Sequence, residues 1–456
     1  MEVIKMDKIR IGFVPGKRDS SWYSDEWARD MKQRTLGALS KIKGLEIVTP
    51  DEKLTRAGMV RNDDDARKVI QLFKEKEVSG ILIGGMDFSD EISACMVPAA
   101  FPSVPVLVFA TEESPKVPLP TMTVQTSDSF CGTLSIASGL YRRKIPYLFY
   151  GVCNPEDQPF VEYVENFVRA CAVVKNFRGT YIGQIGTRPP DFETCSIDEL
   201  ILLSKFGIRV VPISPQTILS TANSLKDDDP DVVKVLEDTK NGADTSAVPT
   251  EQLKKMAKIE IAIKRWVDHK KLSGSGISGD LWPTGYIEGR LIDQGIMMGF
   301  ETDVMGCLTM LMQYSASINT KSVFLIDWTL KHPEKKNVFL VWHVGNAPPS
   351  MAVGKVILDQ SGMPHFKLRP GVVTFSRLVE YDGNFKMLLS KGNLLEIGER
   401  HEARFTWAWA EVEDLARLYT TIGREGFIHH AAMIYGDYTQ AIKDACFFLG
   451  IQVVEA

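Results

Sequence analysis

The first half of this chain alternates short β-branched runs with amphipathic helical stretches, and that pattern belongs to a parallel sheet wrapped by helices. Lys8 to Val14, Leu45 to Thr49, Ser79 to Gly84 and Val104 to Phe109 read as its strands. A second α/β unit begins near Pro146, with apolar runs at Tyr147 to Val152, Thr180 to Ile185 and Ile208 to Ile213. Glu251 to Lys271 reads as a long amphipathic helix, and Ser273 to Gly279, SGSGISG, as a flexible loop of the kind that closes sites. From about Ala352 to Trp409 short strands with Gly turns take over, and Asp437 to Val454 returns to a helix and a strand. The expected architecture is α/β: two doubly wound, Rossmann-like domains at 1–145 and 146–351, then a β-rich, barrel-like C-terminal domain at 352–456.

Composition removes several classes of function. The 456 residues carry 53 Lys plus Arg against 58 Asp plus Glu, a net charge of −5 spread along the chain, which gives no footprint for nucleic acid. No apolar run reaches the roughly 20 residues that span a bilayer, and the opening MEVIKMDKIRIGFVP enters a strand too early to hold a signal peptide. A soluble cytoplasmic protein is expected. The seven cysteines are scattered, with no pair at metal-knuckle spacing, and read as reduced, mostly core thiols; Cys153 and Cys195 lie near strand mouths. Binding loops in such a sheet follow the carboxyl ends of its strands. Here they are Pro15 to Arg18, Gly84 to Ser89 and Thr111-Glu112, and no G-x-G-x-x-G opens a helix after the first strand, so a dinucleotide is not expected.

The residues that carry chemistry lie in the last third. Glu301 follows the apolar stretch Gly295 to Phe300, with Thr302 or Asp303 capping the helix that comes next. Asp327 ends the run Val323 to Ile326, where a carboxylate is costly to bury unless something positive meets it. His343 closes Val338 to Trp342, and His429-His430 precede Ala431 to Tyr435. Adjacent residues on an extended segment face opposite ways, so one of the two histidines binds and the other is left for substrate or for bracing the ligands from behind. Taken singly, each is a core histidine, a cap or a surface charge. Together, at the ends of apolar strands, they make the carboxylate and imidazole set that suits Mn²⁺ and its neighbours Co²⁺ and Mg²⁺.

At these residues the chain resembles the L-fucose isomerase and L-arabinose isomerase family. The likeness is carried by MGFETDVMGCLTML around Glu301, FLIDW around Asp327, VWHVGNAPPS around His343 and HHAAMIYGDYTQAIKDACFFLGIQVV from His429. IGFVPGKRD and IGGMDFSDE look like the family's N-terminal domain, and the intervals of 26, 16 and 87 residues between Glu301, Asp327, His343 and His430 look like the arabinose branch's order. The resemblance implies metal ligands at Glu301, Asp327 and His430, with His343 added as in the arabinose branch, although Asp at the second acid position is a fucose-branch trait. It implies an aldose–ketose isomerase working through a cis-enediol, Glu301 as base and Asp327 as its partner. It further implies a substrate held by Phe88 and by Lys17 or Arg18 from a neighbouring subunit of a trimer or hexamer. By its place in a loop before Glu301, Trp282 reads as a further wall of the site or as a core tryptophan, and His429, the histidine that leaves the metal to its neighbour, as a further contact. Lys17-Arg18 favours an anionic sugar, sulfonated, phosphorylated or carboxylated, as the alternative to a neutral one. A non-catalytic sugar binder is a second rival, and a metal-dependent hydrolase or aldolase a third, which the absence of a base beyond the acid pair disfavours.

Overall fold

The computed structural model describes residues 8–19, 25–113, 127–396 and 404–456, and its contacts divide the chain into two compact units, Lys5–Lys175 and Asn176–Ala456. The first unit alternates β1 (Ile9–Gly16), α1 (Asp25–Leu39), β2 (Leu45–Val48), α2 (Asp63–Glu75), β3 (Gly80–Gly85), α3 (Glu91–Ala99), β4 (Val106–Thr111), α4 (Ser129–Arg142), β5 (Leu148–Cys153) and α5 (Gln158–Phe177). Its five strands pair in parallel in the order β2-β1-β3-β4-β5. Helices cover both faces, which is why every residue of β3 and β4 is buried and why these strands are near-continuous apolar runs. Asn62 caps α2 by accepting from the Asp64 and Asp65 amides. The unit closes at Lys175 instead of 145 because β5 is the fifth strand of this sheet, and α5 places Cys171 against Gly80 of β3.

The second unit opens with β6 (Tyr181–Ile185), α6 (Glu199–Phe206), β7 (Arg209–Ile213), α7 (Pro215–Ser224), α8 (Pro230–Gly242), β8 (Ala243–Asp244), α9 (Thr250–Lys270), β9 (Gly274–Ile277), α10 (Gly285–Asp293), β10 (Met297–Phe300) and α11 (Val304–Ala316). Four of its strands make a second parallel sheet, β10-β9-β6-β7. The expected loop SGSGISG is in fact β9, a central strand buried along its whole length. Its glycines answer a need for space: a Cβ on Gly274 would lie 2.1 Å from the Met297 carbonyl oxygen, and one on Gly276 would lie 2.9 Å from the Thr302 backbone.

Then come β11 (Val323–Lys331), β12 (Val338–His343), β13 (Val356–Leu358), β14 (Pro364–Lys367), β15 (Gly371–Tyr381), β16 (Asn384–Leu395), β17 (Thr406–Val412), α12 (Leu415–Arg424), β18 (His430–Tyr435), α13 (Thr439–Leu449) and β19 (Gln452–Glu455). Antiparallel pairings run β16-β15-β18-β11-β12-β17, and β17 pairs back onto β16. The sheet is therefore closed into a barrel, which leaves these six strands without a free edge. Two of the staves, β11 and β12, precede residue 352, so the barrel draws on the segment expected to form a separate central domain. All thirteen residues of α11 are buried. Among the described residues no helix is long and apolar enough to cross a membrane.

Candidate metal centre and its surroundings

Glu301 leaves β10 in an unusual turn. It and Thr302 both take left-handed backbone angles, φ 58° and 59°, and each such non-glycine residue costs about 1–2 kcal/mol. The surroundings hold the turn in place. The Thr302 amide donates to the Ile277 carbonyl of β9 at 3.0 Å, and its hydroxyl donates to the Thr187 carbonyl at 3.0 Å. Asp303 then caps α11, accepting from the Gly306 amide at 2.8 Å.

Asp303 does more than cap. The Arg377 guanidinium donates to both of its oxygens, at 2.5 and 3.0 Å, and His430 Nδ1 lies 2.8 Å from Oδ2. All three side chains are sealed from solvent. Burial works against the Asp303 charge, but Arg377 and His430 outweigh it and hold the carboxyl well below the usual range. Burial works against a charge on His430 as well, but its contacts with Asp303, Cys195 and Glu301 outweigh it and raise that imidazole well above its ordinary value.

The far nitrogen of His430 faces the expected acids. Its Nε2 lies 3.1 Å from Glu301 Oε2 and 3.7 Å from Asp327 Oδ1, and His343 Nε2 lies 3.8 Å from the same Asp327 oxygen. Asp327 and His430 are direct partners in the β11–β18 register. Asp327 does not end its strand as expected, since β11 runs on to Lys331 past an irregularity after Trp328. Burial, with Glu301 adding repulsion against the pull of His430, pushes the Asp327 carboxyl up to about 6. Burial pulls the His343 ring well below its ordinary value.

The structure thus gathers Glu301, Asp327, His343, His429 and His430. The donor atoms of Glu301, His429 and His430 lie within 4.8 Å of one another, as do those of Asp327, His343 and His430 and those of Cys195, Asp303 and His430. Of these atoms, Asp327 Oδ1 is buried and makes no hydrogen bond, and the buried His430 Nε2 faces the Glu301 carboxylate at 3.1 Å. A divalent cation among carboxylate oxygens and a ring nitrogen answers that deficit, so the residues fit the group.

His429 departs from expectation. It precedes β18, so strand alternation does not apply to it, and its ring lies 4.2 Å from that of His430 instead of facing away. Phe192 packs edge-on against it at 5.2 Å. Trp282 is 44% exposed, not a core residue, and packs edge-on to Phe300, which in turn packs on His343.

Lys17, Arg18 and Phe88 belong to the first unit and meet where its strand order reverses, between β1 and β3. Lys17 is fully buried and paired with Asp87 at 2.9 Å and Asp25 at 3.5 Å. That pairing occupies it. Arg18 is exposed, with its guanidinium 4.9 Å from the centre of the Phe88 ring.

Sequence reasoning passed over Asp303 except as a cap, and missed Arg377 as the partner of Asp303 and Cys195 as a neighbour of His430. Arg377 left a signal. In GVVTFSRLVEY it takes the same alternate positions as Val373, Phe375 and Val379, an inward place where an unpaired charge is not tolerated.

Profiles of known proteins match both ends of the chain. The fucose/sulfoquinovose isomerase N-terminal domain matches residues 12–178, and the L-fucose isomerase C-terminal domain matches residues 360–456, together more than half of the chain. The chain belongs to the fucose/sulfoquinovose isomerase family. Its chemistry is accordingly that of an aldose–ketose isomerase. Among similar proteins, the sulfoquinovose isomerase of Alkalicoccus urumqiensis is 24% identical over 378 residues, covering 77% of this chain and 81% of its own. The sulfoquinovose isomerases of Priestia aryabhattai and Priestia megaterium are each 23% identical over 335 residues, 69% of this chain and 72% of theirs.

One further acid in this family member is set by burial. Glu288 on α10 is fully enclosed; Thr284 donates to its Oε1 at 2.7 Å, and Oε2 has no partner. Burial, with Glu301 adding repulsion, pushes its carboxyl up to about 8. A raised carboxyl contributes stability that is complete below its unfolded value near 4.5 and is lost as pH rises through 8, about 3–5 kcal/mol over that span. Glu288→Gln should flatten this decline. The thermal midpoint of the variant is expected to gain a few degrees on the wild type between pH 5 and pH 8, and parallel curves would show that Glu288 ionises freely.

Proposed function

We propose that this isomerase is metal-dependent and acts on an anionic aldose, with a sulfonated hexose as the foremost candidate. The observation that supports metal dependence is the buried Asp327 Oδ1, which makes no hydrogen bond and lies 3.7 Å from His430 Nε2 beside Glu301. Glu301, Asp327 and His430 would hold the ion, with His343 as the fourth residue beside it. When bound, a divalent cation such as Mn²⁺, Co²⁺ or Mg²⁺ supplies a Lewis acid that makes the carbon next to the sugar carbonyl acidic.

The chain's own groups then move protons. Glu301 removes the hydrogen from C2 and returns it to C1, through a cis-enediol, so that C1 is reduced and C2 oxidised with no external electron acceptor. Asp327 lies beside Glu301 and His430 and is suited to relay a proton from O2 to O1. The two acids exchange roles with the direction of reaction. Trp282 and Phe300 form an apolar wall near His343, and His429 offers a further polar contact.

The anionic preference rests on two supports. The similar proteins named above are sulfoquinovose isomerases. Arg18, exposed and braced on Phe88 at the switch point of the first sheet, is a cation available to a sulfonate. In the family resemblance this loop serves the site of a neighbouring subunit in a trimer or hexamer. The cytoplasm is the proposed location.

The deciding experiment is a screen of sulfoquinovose, its phosphorylated counterpart, L-fucose and L-arabinose against the full chain loaded with Mn²⁺. We expect kcat/KM for the sulfonated sugar to exceed that for either neutral sugar by about 10²-fold, the worth of about 3 kcal/mol. Arg18→Ala should remove most of that margin by raising KM on the anionic sugar alone. Faster turnover of a neutral sugar would refute the anionic assignment.

A further inference from the structure

We propose that His343 stays outside the coordination sphere of the ion and acts as a hydrogen-bond donor to substrate oxygen through Nε2–H. This inference rests on the metal-dependent reading above and divides two histidines that a ligand list would treat alike. The division follows from what each ring does with its other nitrogen.

At His430 the other nitrogen, Nδ1, meets Asp303 Oδ2 at 2.8 Å. That carboxylate already accepts from Arg377 on both oxygens and from the Gly306 amide. An ionised carboxylate only accepts, so the proton between the pair sits on Nδ1. The remaining nitrogen, Nε2, is left free to offer its lone pair toward Glu301 and Asp327, the carboxylate–histidine–metal arrangement.

At His343 the polarity is reversed. Nδ1 accepts from the backbone amide of Val344 at 2.9 Å. A backbone N–H only donates, so this nitrogen is bare and the proton of the neutral ring is on Nε2. That N–H faces Asp327 Oδ1 at 3.8 Å, and a nitrogen carrying hydrogen has no lone pair to give. For His343 to become a ligand the ring would have to move its proton to Nδ1. The Val344 amide would then oppose another N–H beside a side chain that is 1% exposed, leaving a buried donor unpaired. Phe300, packed edge-on at 5.4 Å, and Trp342 on another side restrict any escape by rotation.

A donor so placed meets the oxygen on which charge grows while a proton moves between the two carbons, and such a contact is worth about 10²-fold or more in turnover. His343 is the neutral donor, and His430 is the anchor.

The test compares wild type, His343→Gln and His430→Gln as full chains stripped with chelator and titrated with Mn²⁺ in a calorimeter, followed by electron spin-echo modulation from ring nitrogen on the bound Mn²⁺. His343→Gln is expected to keep its Mn²⁺ affinity within about threefold and its nitrogen modulation unchanged, while turnover falls about 10²-fold. His430→Gln is expected to lose about 10–100-fold in affinity together with modulation. His343→Asn serves as the second variant if Gln is not accommodated. A nitrogen signal lost in the His343 variants, or affinity weakened there as much as in His430→Gln, overturns this assignment and leaves the metal-dependent reading standing. A wild type that binds no Mn²⁺ overturns that reading, and this inference with it.

Discussion

Replacing Glu301 with Gln is expected to lower turnover about 10⁴-fold, the upper range for removing a positioned acid–base group, while the protein keeps its fold. The substitution preserves volume, and the side chain is partly open to solvent, 22% exposed, so no packing is lost. The left-handed backbone at 301 and 302 is equally available to Gln, because its strain is borne by the Thr302 bonds to Ile277 and Thr187. What disappears is an oxygen basic enough to take a carbon-bound proton. The measurement is exchange of C2 deuterium in the sugar with solvent, read beside turnover and the thermal midpoint. Loss of exchange with an unchanged midpoint and Mn²⁺ still bound at saturating concentration identifies Glu301 as the base. Retained turnover would move that role to Asp327.

Asp303→Asn should produce the second large effect, and on two quantities. Losing one member of a buried ion pair leaves the other uncompensated, which destabilises by about 3–5 kcal/mol. Arg377 is 1% exposed, and Asp303 is its ion-pair partner. Weakening the group that orients His430 should also cut Mn²⁺ affinity about 10–100-fold. A second variant separates the two. Asp303→Asn combined with Arg377→Met removes the stranded charge, so much of the stability should return, whereas the affinity should not. If Mn²⁺ binds the single variant as tightly as the wild type, Asp303 serves the fold alone.

The parallel sheet of the first unit was legible because strands buried on both faces must be continuous apolar runs, and β3 and β4 are. The C-terminal barrel was legible from short strands separated by glycine turns. β9 was not, because glycine in sequence marks flexibility and close approach equally well, and only the Met297 and Thr302 backbones decide which applies. The positions of Glu301, Asp327 and His430 were readable from their places beside apolar runs, and the structure brings them together. What supports them was hidden. Asp303 reads as a helix cap, and it is one; its second role depends on Arg377, 74 residues away, and on His430, 127 residues away. The direction of His429 was misjudged because period-two alternation was applied to a residue outside the strand.

Because Asp327 and His430 are opposite one another in adjoining staves of a closed ring, the gap between them is set by the repeat of the pleated backbone and not by either side chain. New pairs of donors grafted at those two places would inherit the same bite. Retuning the preference of such an enzyme from a hard ion to a softer one is therefore a matter of exchanging side chains on an unaltered frame.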